Sequence, residues 1–291
     1  MAPDLGSSEL SLALPKGRMQ GEVFALLDAA GLKVRMSGRE YRPTIAAGRF
    51  NVKVLKPQNI VEMLVAGSRD LGFAGADWVA ELGADLVEVL DTGLDPVRLV
   101  VAAPRELAGA PLRGRTGLVL ASEYERIAAA WVAREEIDAR VIRSYGATEV
   151  FPPEDADLIL DNTATGATLA ANGLAILATV MTSSTRLFAN PAALDDPARR
   201  SGIEGLTLLL RSVLDARDRV MLEVNVPGAR LEAVCAILPS MREPTIATLH
   251  GDAGFAVKVA VRRTELPRLI PLVKRAGGSD IAISTLTQIV P

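Results

Sequence analysis

The chain has 291 residues, 49% of them hydrophobic and 23% charged, with a formal net charge of −3. That suits an ordinary core and a length of about two domains. The charge balance argues against a nucleic-acid or membrane-surface role, so an anionic substrate would need cations gathered locally. A single cysteine, Cys235, excludes an intramolecular disulfide framework and reads as a small core residue. A single histidine, His250, argues against a His-based triad or His-rich metal site and reads as a satisfied or surface residue. Residues 1–8 are polar, the apolar run 10–14 is too short for a secretory signal, and no stretch reaches the ~18 apolar residues of a membrane span. A cytoplasmic protein is expected.

The apolar run 10–14 predicts a first strand, ending in Pro15-Lys16-Gly17-Arg18-Met19. Two cations around a glycine at a strand-to-helix junction suit a polyanion, or form a solvated turn. A helix is expected over 23–30, closed by Gly31, and a polar loop or hairpin over 39–49. Arg42 and Arg49 there are surface charges or part of an anion cleft. Alternation over 50–55 predicts a strand, and Lys56-Pro57-Gln58-Asn59 caps a helix over 60–66. Residues 70–77 read as an apolar strand entering a Gly-rich turn at Gly75 and Asp77, and 97–103 as a crossover strand into a second lobe.

That lobe is expected to hold a strand over 118–121, a helix over 124–136 and a strand over 139–143. Glu149 then lies in a loop, as a cap or as a second carboxylate for a ribose or a metal. Leu158, Ile159 and Leu160 suit a buried parallel strand with Asp161 at its carboxyl end, where open α/β sheets place ligands. Thr163, Ala164, Thr165, Gly166, Ala167 and Thr168 form a hydroxyl-rich turn, and a helix is expected from Leu169. Small residues before a helix N-terminus leave N–H groups free for a phosphate. The bland alternative is a strand–turn–helix whose threonines merely cap the helix. Residues 175–179 and 182–190 lead back toward the first lobe, 191–205 is expected to be exposed, and 203–216 helical.

After Ala216 the pattern changes. Strands are expected over 220–226, 245–249, 255–261 and 280–290, with helices over 229–238 and 265–276. This βαββαβ order is ferredoxin-like and long enough to fold as a separate module.

The order of apolar strand, acid, Thr-Gly-Ala-Thr and helix resembles the phosphoribosyl-diphosphate loop of phosphoribosyltransferases, with Asn162 standing where a second acid is usual. Asp161 through Leu174 is similar to one family in particular, the ATP phosphoribosyltransferases that begin histidine biosynthesis. Five further motifs follow in that family's order: Leu14-Pro15-Lys16-Gly17-Arg18, Asp70-Leu71-Gly72 with Gly75 and Asp77, Arg98 to Ala102, Gly146-Ala147-Thr148-Glu149, and Asn225-Val226-Pro227 with Leu238-Pro239 and Pro244-Thr245-Ile246. Pro153-Glu154-Asp155 departs from the small turn usual there, which bears on loop shape.

The resemblance implies an α/β protein: a two-lobed, periplasmic-binding-protein-like catalytic region, with 1–102 and 184–212 as lobe I and 103–183 as lobe II, and an ACT-like regulatory domain over 213–291. A chain with that third domain is similar to the long form of the enzyme. The implied reaction is attack by N1 of the ATP adenine on C1 of phosphoribosyl diphosphate, with Mg²⁺ held mainly through substrate phosphates. Asp161 and Glu149 are implied as catalytic. Asp161 and the loop from Thr163 through Ala164, Thr165, Gly166 and Ala167 to Thr168 are implied to hold phosphoribosyl diphosphate. Lys16, Gly17, Arg18, Lys56, Gly75 and Asp77 are implied to meet ATP, and Asn225 and Thr245 free histidine as effector. The family also implies self-association, dimer to hexamer, with neither nucleic acid nor membrane as partner.

Two rival readings remain at this level. A solute- or effector-binding protein has two lobes and Gly-turn strands but consumes nothing. A nucleobase phosphoribosyltransferase uses the same loop but has neither the lone acid nor the extra C-terminal domain.

Overall fold

The computed structural model describes residues 9–36, 41–46, 49–109, 111–239 and 243–290. The polar segment 1–8, residues 39, 40, 47 and 48 of the expected 39–49 loop, and Pro291 lie outside them. The chain divides into two compact units: residues up to Ala25 with Leu32–Gly205, and Leu26–Gly31 with Leu206 onward.

In chain order the first elements are β1 (Leu10–Pro15), α1 (Gln20–Ala29), β2 (Val34–Arg35), β3 (Thr44–Ile45), β4 (Phe50–Leu55), α2 (Pro57–Val65), β5 (Leu71–Gly75) and α3 (Ala76–Leu82). Then come β6 (Val87–Pro104), α4 (Arg105–Ala108), β7 (Leu118–Ser122), α5 (Glu125–Arg134), β8 (Ala139–Arg143), β9 (Leu158–Thr163), α6 (Ala167–Ala171), β10 (Leu174–Ala189), α7 (Pro191–Asp195) and α8 (Pro197–Arg217). The main sheet has eight strands in the order β4-β1-β5-β10-β6-β9-β7-β8. β4, β1 and β5 run parallel, as do β9, β7 and β8. Between these triplets lie β10 and β6, antiparallel to each other and to their outer neighbours. Two open α/β halves bridged by two long strands make the two-lobed, periplasmic-binding-protein-like architecture.

Where interior strands of this sheet are covered on both faces, as at Leu99–Ala103 and Leu158–Leu160, their sequences are apolar runs. In β6, Leu99, Val101 and Ala103 enter a core with Leu120, Leu158 and Leu160, while Val100 and Ala102 face Ile159, Leu169 and Leu174. The other lobe has its own core, in which Ala13, Ala74 and Phe188 of the sheet meet Ile60 and Leu64 of α2. Lys56 is the N-cap of α2 and Pro57 takes the first turn, where its missing N–H costs nothing.

Several expectations need correction. The crossover strand begins at Val87 rather than 97, because β6 pairs with β10 far beyond the apolar core run. The Gly-rich turn after β5 is the start of α3, and Asp77 lies in its first turn. The segment from 191 is largely on the surface, as expected, but it is helical. It forms α7 and the opening of α8, burying Ala193 and Ile203. Asp196 caps α8, its Oδ1 accepting from the N–H groups of Ala198 (2.9 Å) and Arg199 (3.2 Å). In the expected loop or hairpin of 39–49, β3 pairs with β2 as a small hairpin.

The second unit continues with β11 (Arg219–Val226), α9 (Leu231–Cys235), β12 (Thr245–Thr248), β13 (Phe255–Arg262), α10 (Leu266–Arg275) and β14 (Ser279–Thr285). Its sheet order is β12-β13-β11-β14, all neighbours antiparallel, which is the ferredoxin-like βαββαβ arrangement. Val220, Leu222, Val224 and Val226 alternate inward from β11 onto Val234, Leu269 and Val273 of the helices. The last strand stops at Thr285, short of the expected 290.

Candidate active site

β9 delivers the acid. It extends past the apolar run to Thr163, because its backbone still pairs with β6 as far as Thr163 opposite Arg98. Asp161 is therefore inside the strand, opposite Val100, rather than at its end. Beyond it the chain turns at Gly166, whose φ of 83° is a left-handed conformation that favours glycine. Two threonines shape the turn from within. Thr163 Oγ1 accepts from the N–H of Gly166 (2.9 Å) and Thr165 Oγ1 from that of Ala167 (3.3 Å). The helix that follows, α6, is only 5 residues long and starts at Ala167 rather than Leu169. Its dipole is correspondingly small, so an anion held here would depend chiefly on loop hydroxyls and N–H groups.

A cavity of about 410 Å³ opens over this turn, lined by Asp161, Thr163, Ala164, Thr165, Ala167 and Thr168. Gly166 shapes the loop without lining the cavity. Glu149, Glu123 and Arg18 complete the wall. Burial pushes the Asp161 carboxyl up to about 6; the Glu123 and Glu149 charges add to this, while the Asn162 N–H and the Thr148 hydroxyl act against it.

A second cavity of about 420 Å³ adjoins the first and shares Arg18, Val97, Glu123, Gly146 and Asn162 with it. Lys16, Arg18 and Lys56 gather there, with Gln58, Gly75 and Trp78. Lys16 Nζ donates to the Tyr41 hydroxyl at 2.9 Å and sits 4.8 Å from that ring's centre. Arg18 Nη1 donates to the Asp95 carbonyl at 3.3 Å. Among the described residues, Gln58 Oε1 is the buried side-chain polar atom without a hydrogen-bond partner. Such an orphaned acceptor invites a ligand donor or a water.

Behind this cavity runs a buried polar chain. Asp77 Oδ1 accepts from the Ser183 hydroxyl and its Oδ2 from the Tyr124 hydroxyl, both at 2.7 Å. Tyr124 stacks on Trp78 with centroids 4.6 Å apart, and its hydroxyl accepts from Asn162 Nδ2 at 3.0 Å. Burial, then the Asp77 charge, raises the Tyr124 pKa, so the phenol keeps its proton. A Cβ on Gly75 would lie 2.0 Å from Asp77 Oδ1, so glycine is required for this approach.

Of the residues singled out from sequence, Lys16, Arg18, Lys56, Gly75 and Asp77 line the second cavity. Asp77 does so from behind, both its carboxylate oxygens already engaged. Gly17, with φ 86°, shapes the turn between Lys16 and Arg18. Arg42 and Arg49 line neither cavity; the Arg42 charge acts on Arg69. Glu123, Tyr124, Gln58 and Ser183 escaped sequence reasoning. No motif marks them, though an acid–tyrosine pair directly after a buried strand was a usable signal. In the second unit, Thr245 shares its register position with Lys258 and Glu223, so it lies on the same outer sheet face as Asn225, with β13 between them. Asn225 Nδ2 donates to Asp280 Oδ2 at 3.1 Å.

Comparison with known proteins gives consistent matches. A family model described as ATP phosphoribosyltransferase matches residues 56–212, and one described as HisG, C-terminal domain, matches residues 216–288. An ATP phosphoribosyltransferase of Pelotomaculum thermopropionicum is 38% identical over 288 residues, 97% of this chain and 100% of the relative. One of Desulforudis audaxviator is 37% identical with the same coverage. Among solved structures, the ATP phosphoribosyl transferase (HisG:HisZ) complex from Thermotoga maritima superposes with a TM-score of 0.63 at 25% identity, covering 71% of this chain and 98% of that one.

Proposed function

This chain belongs to the ATP phosphoribosyltransferase family, and from that premise we propose how its two cavities divide the reaction. The enzyme is a glycosyltransferase of histidine biosynthesis that joins ATP to 5-phosphoribosyl 1-diphosphate, giving N1-(5-phosphoribosyl)-ATP and diphosphate. The cavity over the Thr163–Thr168 turn takes the ribose 5-phosphate, and the adjoining cationic cavity takes ATP. The observation carrying this division is the shared wall: the acid-and-threonine site and the lysine–arginine site meet at Asn162 and Arg18. Two reactants held in adjoining sites need only alignment for N1 to reach C1.

As the C1–O bond ionises, positive charge develops on the ribosyl group and negative charge on the diphosphate. Asp161, ionised, with Glu149 beside it, supports the ribosyl side. Lys16, Arg18 and Lys56 neutralise phosphates, with Gly17 and Gly75 keeping the backbone close. Gln58 Oε1 suits the 6-amino group of adenine as donor. The family requires a divalent metal ion, and Mg²⁺ is the ion proposed. Among the described residues no cluster of protein ligands forms a metal cage. An open cavity with Asp161, Glu149 and Glu123 on its wall suits an ion held chiefly by substrate phosphates, as Mg²⁺ prefers. Bound there, it would neutralise the leaving diphosphate.

The regions 1–102 with 184–212, 103–183 and 213–291 are assigned as lobe I, lobe II and a regulatory ACT-like domain that binds free histidine through Asn225 and Thr245. Self-association from dimer to hexamer belongs to the same reading; the Thermotoga maritima relative is itself described as a complex. A cytoplasmic location belongs to the same reading. Among the described residues no helix is long and apolar enough to cross a membrane.

The test is a coupled assay for phosphoribosyl-ATP with ATP, phosphoribosyl diphosphate and Mg²⁺, with and without histidine. Product that appears with ATP but not with free nucleobases supports the assignment. Ligand binding without turnover would return the chain to the receptor reading.

A further inference from the structure

Asn162 lies on the wall common to both cavities, directly after Asp161. The orientation of its carboxamide follows from its neighbours. Nδ2 is 3.0 Å from the Tyr124 hydroxyl oxygen and 3.4 Å from Asp161 Oδ1. An ionised carboxylate only accepts, so the Tyr124 proton goes to Asp77 Oδ2, 2.7 Å away. The Tyr124 oxygen is left to accept. Both groups beside Asn162 are thus acceptors, and only its amino group can face them. The carbonyl oxygen is then the atom turned away from both.

Each partner is held from behind. Asp77 is 5% exposed and braced by the Ser183 hydroxyl through its second oxygen. Tyr124 is 1% exposed, its ring stacked on Trp78 and its N–H donating to Ser122 Oγ at 2.9 Å. Ser122 in turn donates to the Leu160 carbonyl on β9 at 2.7 Å. Such a fully satisfied buried network fixes one arrangement.

We propose that Asp77 and Tyr124 are positioning residues: through the Tyr124–Asn162 hydrogen bond they keep the Asn162 carbonyl, and not its amino group, facing the place where the reacting ribosyl carbon becomes positive. The inference rests on the division of the cavities given above. A carbonyl dipole aimed at developing positive charge stabilises the transition state more than the ground state, whereas a reversed amide would oppose it. The effect belongs in kcat, with little change in KM.

The experiment is a double-mutant cycle of Tyr124→Phe and Asn162→Ala, assayed as phosphoribosyl-ATP formation by the full chain with both substrates saturating. Phenylalanine keeps the ring on Trp78 and removes only the hydroxyl. Each single variant is expected to lose about tenfold or more in kcat, with both KM values within about twofold. The double variant should be no slower than Asn162→Ala alone, because Tyr124 acts through Asn162. If Tyr124→Phe does not fold, Asp77→Asn replaces it in the cycle. Its new amide can donate to the Tyr124 oxygen, turn the phenol proton toward Asn162 and reverse that carboxamide, with the same loss in kcat. Wild-type kcat in the single variants, losses that multiply in the double variant, or losses confined to KM would each overturn the proposal. The division of the cavities fails separately, if Asp161→Asn leaves kcat/KM for phosphoribosyl diphosphate unchanged.

Discussion

Asp161 carries a conflict between stability and chemistry. Its carboxyl sits at about 6 in the folded protein against an ordinary 3.8, so the folded state binds the proton more tightly. The stability this brings is fully present below about pH 4 and is lost as pH rises through about 6. The role proposed for Asp161 needs the ionised form, so kcat/KM should climb through the same range. A substrate phosphate also titrates near pH ~6, so the wild-type profile alone does not identify the group. Glu123→Gln removes one like charge from beside Asp161 and should move the acid limb to lower pH. An acid limb that stays put in both Glu123→Gln and Glu149→Gln would assign it to the substrate. At Arg18 the expectation concerns salt. It lines both cavities of a chain with net charge −3, so Arg18→Ala should raise KM for both substrates and flatten their dependence on ionic strength. Unchanged KM values across a salt series would make Arg18 a solvated turn residue. Residues at this scale were legible where the chemistry is contiguous, as in Asp161 through Thr168. Glu123 and Tyr124 were not, because only the sheet topology brings them beside that loop, and Gln58 was not, because the fold alone brings it to the adjoining cavity.

Elements tell a similar story about local against long-range forces. Short apolar strands and their glycine stops could be read directly, since a strand buried on both faces has little alternative composition. The long strands β6 and β10 could be read only in part. Register shifts and the left-handed residues Gly93 and Asp95 interrupt their periodicity, while pairing between them carries the ladder on. The start of α8 was hidden by Gly202 and Gly205. Burial of Ile203, Leu206 and Leu210 outweighs their helix penalty of roughly 1 kcal/mol each, although Asp196-Pro197 was a usable start signal. The turn between β9 and α6 gives the element-scale prediction. Gly166 has φ 83°, and a Cβ there would touch Ile176 Cδ1 at 3.4 Å, an ordinary contact, so backbone conformation is the main obstacle. Gly166→Ala should cost about 1–2 kcal/mol of loop stability. With the phosphate donors displaced, KM for phosphoribosyl diphosphate should rise about tenfold, equivalent to about 1.4 kcal/mol, while the ATP KM holds. Equal increases in both KM values would mean that the loop does not serve one substrate alone.

For the whole molecule, the sequence change near Ala216 correctly announced a second fold, since period-2 alternation in β11 needs its own core. The boundary between the two compact units was less legible, because it falls within α1 and α8 rather than between elements. This bears on how the proposed histidine inhibition should be tested. A chain ending near Arg211 would cut α8 and leave Leu26 and Leu27, each fully buried, without much of the unit to which they belong. Ending the chain at Arg217 keeps α8 whole and removes the four-stranded sheet with its helices, whose buried core includes Val220, Leu222, Val257, Leu269 and Val273, together with the tail whose Ile289 N–H donates to the Ser212 carbonyl of α8 at 3.0 Å. Among the described residues, that sheet and its helices hold no group of His, Cys, Asp and Glu that could bind a metal ion. Histidine bound there can inhibit only by favouring an arrangement of lower activity, in proportion to its differential affinity for the two arrangements. Saturating phosphoribosyl diphosphate should therefore not relieve inhibition of the full chain. The chain ending at Arg217 should still form phosphoribosyl-ATP when folded, and histidine should no longer slow it. Inhibition of that shortened chain with an unchanged constant would place the effector in the catalytic lobes and remove Asn225 and Thr245 from the regulatory site.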